Sequence, residues 1–227
     1  MKLFLFLLMS AGAWAQIERP SLGVMLDENG LVRPVTGAPA AAALGDPLFG
    51  GAVISLACTQ TTCLAKTETA VVSSTGESAD APPGAAIIAF IGDVAYVYFV
   101  ETRQFAIWFA GQLYPFDFAA GGDVLSIRAN GFTYAIARDD GIWLGNQNLG
   151  AAHAIFLLDD GGALLAVDGQ VRLLRADGTE IDFAVPGAGG FLRMSDRYIE
   201  VMTDSGMWAL DTQAGNEQIF LLPGGSR

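Results

Sequence analysis

One stretch of the chain, residues 155–187, consists of four short apolar runs separated by tight turns. The runs are IFLL, ALLAVD, VRLLRA and EIDFAV, and the breaks between them contain DDGG, DG and ADGT. Asp-Gly and Gly-Gly dipeptides supply the positive φ that a tight hairpin requires. The stretch therefore predicts one four-stranded antiparallel sheet.

Degenerate copies of this unit fill much of the chain. The copies begin at Val53, Ile87, Val124, Ile155 and Phe191, at intervals of 34, 37, 31 and 36 residues. The copy at Val53 is the weakest, because only three runs are visible and its fourth quarter is polar. A period of this length, with up to four short strands in each copy, is typical of repeat architectures.

A shorter unit precedes the copies. The segment LGVMLDENGLVRPVTGAP, which starts at Leu22, has two apolar runs around the turn signal DENG and resembles the second half of residues 155–187. Residues 39–51, PAAAALGDPLFGG, then read as a linker. Pro39 and Pro47 bracket the four alanines and leave room for at most a short helical turn.

The most apolar runs, IIAFI, VAYVYFV and FAIWFA, carry apolar side chains on both faces of a strand. A sheet with one wet face would alternate apolar and polar residues instead, and so would a β-sandwich, the competing fold. Both faces are therefore covered, and with little helical sequence available the cover is other sheets. Over about residues 22–223 the chain resembles the β-propeller superfamily through its repeat length, four-strand units and regularly placed tryptophans.

The resemblance implies an all-β, propeller-like ring of four-stranded antiparallel repeats, with five repeats plus an N-terminal half unit. The last repeat already has a fourth run, EQIFLLP, so the half unit is not needed to complete it. We expect the half unit to form a reduced sixth blade, with closure of a five-unit ring as the alternative.

Three tryptophans, Trp108, Trp143 and Trp208, fall in the third strand of their repeats, and Leu173 takes the matching place in residues 155–187. Such a set serves either as a stacking platform for sugars or as one packing residue per sheet, and the regular spacing favours packing. The frames RDDGIW and TDSGMW resemble the Asp-box of sialidase-type propellers, S-x-D-x-G-x-x-W. They depart from it, because one residue rather than two separates the glycine from the tryptophan.

The first fifteen residues predict a secretory signal peptide. Lys2 precedes an apolar core at residues 3–9, and Ala13 and Ala15 occupy the small-residue positions of a cleavage site before Gln16. The apolar core is shorter than the about 20 residues that cross a bilayer. We expect residues 16–227 to form a single domain that is secreted or periplasmic and has no stable membrane anchor.

The charge disfavours one class of protein, and the composition excludes another. A formal net charge of −12 disfavours a nucleic-acid partner, because phosphate neutralisation requires clustered Lys and Arg. Charged residues make up 16% of the chain and hydrophobic residues 52%, a balance that excludes disorder and predicts a large buried interior.

Two cysteines, Cys58 and Cys63, lie in ACTQTTC. If TQTT is a hairpin loop, the two residues face each other on adjacent strands at a separation close to what a disulfide accepts. An exported protein would keep such a bridge oxidised. A C-x4-C spacing without further cysteines is poor zinc spacing, so we predict a hairpin disulfide.

No catalytic set, cofactor motif or metal-ligand set is recognisable in the sequence. His153 is the only histidine, and neither G-x-S-x-G nor a zinc motif accompanies it. Oxygen-rich turns raise the question of calcium, but a carboxylate that bonds its own turn is the ordinary explanation, and the calcium-loop pattern D-x-[DN]-x-[DN]-G is absent. The aspartates concerned are Asp139, Asp140, Asp159, Asp160, Asp168 and Asp177.

The arginines of the last two repeats do not form a recognisable cluster for an acidic sugar, and we interpret them as solvated strand or turn positions. They are Arg172, Arg175, Arg193 and Arg197. Paired carboxylates for glycoside hydrolysis cannot be assigned from sequence, because their separation is a three-dimensional property.

The leading functional hypothesis is an exported, non-enzymatic propeller that acts as a binding or scaffolding module for a protein or a glycan. The alternative is a glycan-active enzyme that uses carboxylates converging in a central pocket. A third hypothesis, a structural envelope protein, predicts self-association through a continuous apolar surface patch.

Overall fold

The computed structural model describes residues 20–27, 29–38, 41–49, 51–204 and 206–222. Within these ranges the chain forms 23 β-strands joined by turns and short loops, which confirms the all-β prediction. No helix in this part of the chain is both long enough and apolar enough to cross a membrane. The predicted signal peptide and its cleavage point between Ala15 and Gln16 lie outside the described residues.

The N-terminal sheet has three strands, β1 (Ser21–Leu26), β2 (Val32–Thr36) and β3 (Ala43–Leu44). β1 and β2 form the hairpin predicted from the two apolar runs around DENG. Asp27 holds the turn, because its Oδ1 accepts hydrogen bonds of 2.9 Å from the backbone amides of Asn29 and Leu31.

The interpretation of residues 39–51 as a linker is wrong for its middle part. Ala43 and Leu44 pair with Thr36 and Val35 of β2 and extend the sheet by a third strand. A run of alanines this short cannot sustain a helix by itself, and the free edge of β2 offers its backbone groups better partners.

The later strands form antiparallel meanders of four consecutive strands each. The first meander contains β4 (Ser55–Cys58), β5 (Cys63–Lys66), β6 (Ala70–Ser73) and β7 (Ser78–Asp80). The next contain β8 (Ala86–Ile91), β9 (Val94–Phe99), β10 (Gln104–Phe109) and β11 (Gln112–Phe116), then β12 (Asp123–Arg128), β13 (Thr133–Arg138), β14 (Gly141–Leu144) and β15 (Gln147–Asn148). The last contain β16 (Ala154–Leu157), β17 (Ala163–Val167), β18 (Gln170–Leu174) and β19 (Glu180–Ala184), then β20 (Ala188–Arg193), β21 (Tyr198–Thr203), β22 (Gly206–Asp211) and β23 (Gln218–Leu221).

The strand pairing confirms the four-stranded sheet predicted for residues 155–187, which form the sheet β16-β17-β18-β19. The meanders β8–β11 and β12–β15 are separate sheets as well. The meanders β4–β7 and β20–β23 are joined into one eight-stranded sheet by a parallel pair between Ala57 and Arg193.

The first strands of the meanders lie side by side and close a ring. β4 contacts β8, β8 contacts β12, β12 contacts β16, β16 contacts β20, and β20 returns to β4. Two serines connect neighbouring first strands: Ser55 Oγ accepts a hydrogen bond of 3.0 Å from the amide of Ala86, and Ser126 Oγ one of 2.9 Å from the amide of Leu157. The architecture is thus a propeller-like ring of four-stranded antiparallel sheets.

The N-terminal sheet packs against both ends of the repeat array. Its residues Met25 and Val35 belong to a buried cluster with Met194 and Met207 of the last meander. Its residues on the other face, Val24 and Val32 among them, pack in a cluster with Leu56 and Ala65 of the first meander. The sheet therefore lies where the first and last meanders meet.

The strand β17 illustrates why the strongest runs lack alternation. Four consecutive residues, Ala163, Leu164, Leu165 and Ala166, are all buried. Leu164 and Ala166 belong to the cluster shared with the meander β20–β23, whereas Ala163 and Leu165 belong to the cluster shared with β12–β15. Each face of the sheet is thus covered by a different neighbour, as predicted, and a sandwich with wet outer faces is not what forms.

The tryptophans are packing residues. Trp108 is 4% exposed within one core cluster, and the half-buried Trp143 and Trp208 pack against two others. Leu173, at the matching place in β18, is fully buried. In the RDDGIW frame, the indole Nε1 of Trp143 donates a hydrogen bond of 2.7 Å to Asp140 Oδ1, so this aspartate anchors the tryptophan.

A disulfide joins Cys58 and Cys63, as predicted. The two residues are directly paired at the end of the β4–β5 hairpin. Thr59 closes the loop between them, because its Oγ1 accepts a hydrogen bond of 3.1 Å from the amide of Thr62. Bridges of this kind persist in oxidising compartments.

Candidate functional site

The ring encloses a central cavity of about 200 Å³. Its wall is formed mainly by apolar residues of the first strands, such as Leu56, Ile88, Ile127 and Phe156. In the described part of the chain no aspartate or glutamate lines it, and Arg193 is its one charged residue. The carboxylates that a central glycan-active site would need do not converge there.

The polar groups gather at one face of the ring instead. We call this the hairpin face and define it by the turns between the first and second strands of each meander, at residues 59–62, 92–93, 129–132, 158–162 and 194–197. Residues from all of these turns line a depression of about 510 Å³. Its polar lining includes Thr59, Gln60, Thr61, Asp93, Asn130, Asp159, Arg193 and Asp196, and its apolar lining Phe90 and Ile91.

Arg193 lies between this depression and the central cavity, because it lines both. Its side chain is 6% exposed and makes a bidentate pair with Asp159, with Nη1–Oδ2 at 2.6 Å and Nη2–Oδ1 at 3.0 Å. Asp196 Oδ1 lies 4.0 Å from Nη1, and the guanidinium carbon lies 5.5 Å from the centre of the Phe156 ring. The buried charge is therefore fixed by a carboxylate and an aromatic ring from the neighbouring meander.

A second depression on the hairpin face, of about 530 Å³, shares Asp159, Arg193 and Asp196 with the first. Arg175 and Arg197 also line it. The interpretation of Arg175 and Arg193 as solvated residues is therefore wrong, because 10% and 6% of their side chains are exposed. Their burial results from packing between meanders, which a single strand's pattern does not record.

Arg175 connects two meanders. Its Nη1 donates to Asp160 at 3.0 Å, and its Nη2 donates to the carbonyl oxygen of Thr212 at 2.7 Å and to Glu217 at 2.6 Å. Hydrogen bonds from its own backbone amide and from Arg175 lower the pKa of Glu217. This carboxylate consequently stays ionised and keeps its hydrogen bond to Arg175, which links the two meanders.

The side chains of Arg172 and Arg197 are more exposed than those of Arg175 and Arg193. Arg197 pairs with Asp211, with Nε–Oδ1 at 2.9 Å, and this hydrogen bond raises the pKa of Arg197. Arg172 lies elsewhere, in β18, and binds Asp182 of β19 with Nε–Oδ1 at 2.8 Å. The prediction of a solvated strand position holds for Arg172.

The remaining polar residues singled out from the sequence stay apart. His153 Nε2 lies 2.8 Å from Asp168 Oδ1, and both side chains are largely exposed. Asp160 and Asp177 accept hydrogen bonds from the amides two residues ahead, as the turn explanation predicts. Among the described residues no group of three or more His, Cys, Asp or Glu side chains is placed to hold a metal ion.

Sequence reasoning missed the pair of Arg193 and Asp159. The partners are 34 positions apart, close to one repeat period, just as Ser55 and Ala86 are. Neighbouring first strands of a ring bring together residues about one repeat apart. The sequence signal for such a pair is an acidic and a basic residue about one repeat apart, one of them in a turn.

Comparisons with known structures support the fold. The chain is similar to PorZ, an essential bacterial surface component of the type-IX secretion system of Porphyromonas gingivalis, with a TM-score of 0.55 and 12% identity over 91% of this chain. It spans 38% of the PorZ chain. It is also similar to a chain of the nidogen–laminin complex, with a TM-score of 0.59 and 11% identity over 87% of this chain and 92% of that one.

No family model matches the chain, and no curated protein sequence matches it either. Similarity at this level of identity concerns architecture, which unrelated functions share. Together with the ring of antiparallel meanders, it confirms that this chain has the β-propeller fold its repeats resemble.

Proposed function

We propose that this chain is an exported, non-enzymatic β-propeller that binds a partner protein through the hairpin face. The observation that carries this is the depression to which the turns of all the meanders contribute. A rigid scaffold that presents its loops around one opening is a common way to build a binding surface.

The lining of the central cavity favours binding over catalysis. Its described wall is apolar apart from Ser55, Ser126 and Arg193. Both serine hydroxyls accept hydrogen bonds from backbone amides of the next meander, so they have a structural role. A glycan-active enzyme that works with carboxylates in this cavity gains no support from such a wall.

The charge of the first depression on the hairpin face favours a partner with a basic surface. Asp93, Asp159 and Asp196 line the first depression against the single guanidinium of Arg193, and the whole chain has a net charge of −12. Complementary charge accelerates association and selects among partners. Ile91, which is 46% exposed at the same opening, offers an apolar contact within the charged rim.

We further infer export and a unit count. Residues 1–15 are the signal peptide, and residues 16–227 are one domain that works outside the cytoplasm, where its disulfide stays oxidised. The domain contains five four-stranded units, and the sheet β1–β3 is a reduced sixth unit at their junction. Mass spectrometry of the exported protein should find Gln16 at its N-terminus, and an experimental structure should contain these six units.

Site-specific photo-crosslinking in the producing cells tests the binding surface. A photoreactive residue at Ile91 probes the hairpin face, and one at Leu221, which is 58% exposed on the outer strand β23, is the matched control. We expect one protein adduct from position 91 only, and its loss when Asp93 and Asp196 are changed to Asn. No adduct from either position, or the same adduct from both, would refute the proposal.

A further inference from the structure

The meander β8–β11 carries a third depression, also of about 530 Å³, outside the hairpin face. It lies at the start of β10 and the end of β11, beside β7 and the β9–β10 turn. Aromatic rings and prolines dominate its lining. The apolar members are Pro82, Phe99, Phe105, Ala106, Leu113, Pro115, Phe116 and Phe118, and the polar ones are Asp80, Arg103, Gln104 and Asp117.

The aromatic floor of this depression consists of Phe105, Phe116 and Phe118, whose rings contact one another. Phe116 and Phe118 are parallel, with 5.8 Å between ring centroids and an interplanar angle of 5°. Phe105, which is 3% exposed, meets Phe118 edge to face at 5.4 Å. The half-buried rings of Phe116 and Phe118 therefore rest on a buried ring and keep part of their surface accessible.

Backbone strain is concentrated around this depression. Among the described residues three non-glycine residues have positive φ; one of them, Arg103, lines this depression, and another, Phe132, contacts its rings from the turn at residues 129–132. Arg103, with φ of 54°, lines the rim, and Phe132, with φ of 28°, packs its ring edge to face on Phe105, Phe116 and Phe118. Residues held in such conformations cluster at ligand sites, because the surrounding structure must compensate for their strain.

We propose that this depression binds a neutral glycan. A pyranose ring has an apolar C–H face that suits the accessible rings of Phe116 and Phe118, and hydroxyls that suit the polar rim. The carboxylates of Asp80 and Asp117 accept hydrogen bonds from hydroxyls, and the amide of Gln104 both donates and accepts them. The guanidinium of Arg103 lies 2.6 Å from Asp123, so among the described lining residues there is no unpaired cation to recognise an acidic sugar.

A proline-rich peptide fits the same floor less well. Proline has no backbone N–H, so such a peptide offers few donors. The carboxylates of Asp80 and Asp117 would lose water at the rim without gaining a partner. Hydroxyl-rich ligands avoid that loss, which is why a glycan is favoured.

Isothermal titration calorimetry on the mature chain tests the site. The probes are three neutral trisaccharides (cellotriose, maltotriose and triacetylchitotriose), the acidic trigalacturonate, and a proline-rich decapeptide. We expect at least one neutral trisaccharide to bind and trigalacturonate to bind at least tenfold more weakly. Failure of all three neutral sugars, or binding of the peptide alone, would overturn the proposal.

Two pairs of variants locate the binding. Phe118→Ala should weaken binding about tenfold, by analogy with stacking on other aromatic platforms, whereas Phe109→Ala, at an aromatic that is 50% exposed outside the depression, should not. Asp117→Asn should weaken binding severalfold, whereas Asp93→Asn on the hairpin face should not. Because Asp117 is exposed, Asp117→Asn should fold normally. If Phe118→Ala unfolds, the affinity of Asp117→Asn tests the site instead. Unchanged affinity in both site variants would refute the site.

The two proposals fail separately. Loss of glycan binding in Phe118→Ala should leave the protein adduct from position 91 intact, since the two depressions have no lining residue in common.

Discussion

The contact between the N-terminal sheet and the last meander leads to the sharpest stability prediction. Gly23 in β1 has φ of 120°, and a Cβ added there would overlap the backbone carbonyl of Met194. The next residue, Val24, donates its amide to that same carbonyl at 3.1 Å. A substitution at Gly23 therefore strains its own backbone and separates β1 from the end of β20.

Gly23→Ala should be strongly destabilising. A strained φ costs about 1–3 kcal/mol, and the lost hydrogen bond costs about 1 kcal/mol more. A total of about 3 kcal/mol would lower the urea midpoint by about 1.5 M for an m-value of about 2 kcal/mol/M. Urea unfolding followed by tryptophan fluorescence measures this shift.

Gly169→Ala is the matched control. Gly169 also has positive φ, 74°, but a Cβ added there has no atom within 4 Å. We expect a loss of about 1 kcal/mol, from the left-handed backbone alone. If the two variants proved equally stable, the close approach of β1 to Met194 would be refuted.

Three further predictions concern other parts of the fold. Changing Cys58 and Cys63 together to Ser should lower the free energy of unfolding by about 2 kcal/mol and abolish the effect of reductant on it; a reductant effect that persisted would contradict the disulfide. Hydrogen bonds from Arg33 and two backbone amides outweigh the burial of Asp27 and lower its pKa below 3.8, so its contribution is full above that pH and is lost as the pH falls through the native pKa. The difference in free energy of unfolding between the native chain and Asp27→Asn should thus become smaller as the pH is lowered, and a difference that did not change with pH would contradict the pKa shift. Leu173→Trp should lower the stability measured in thermal unfolding by about 1–3 kcal/mol, because Leu173 is fully buried and a larger side chain would overpack its site; an equally stable variant would show that the site has room for an indole.

Local chemistry explains why the repeats could be predicted. Each strand of residues 155–187 is short, apolar and bounded by Asp-Gly or Gly-Gly, so turn chemistry and strand pattern point to the same hairpins. The structure has positive φ at Gly169 and Gly178, where these dipeptides placed the turns. The disulfide follows from the same logic, because Cys58 and Cys63 flank a loop whose hairpin geometry decides their distance.

The candidate sites could not be predicted in this way. Arg193 and Asp159 belong to different meanders, and the rings of Phe105 and Phe132 come from different sheets. Strand patterns record burial along one strand and contain no information on which sheet covers it. The short strand of Ala43 and Leu44 was missed for a similar reason, since the free edge of β2 is its cause.

The sequence by itself determined the strands of the repeats, their turns, their pairing within each repeat and the disulfide, because these depend on interactions between residues near each other in the chain. Only the tertiary structure decided that the central cavity is apolar, that Arg193 and Asp159 lie at its opening, and that the partly exposed rings of Phe116 and Phe118 pack on the buried ring of Phe105. Those features arise where separate sheets meet, and their energies come from desolvation and packing between distant segments.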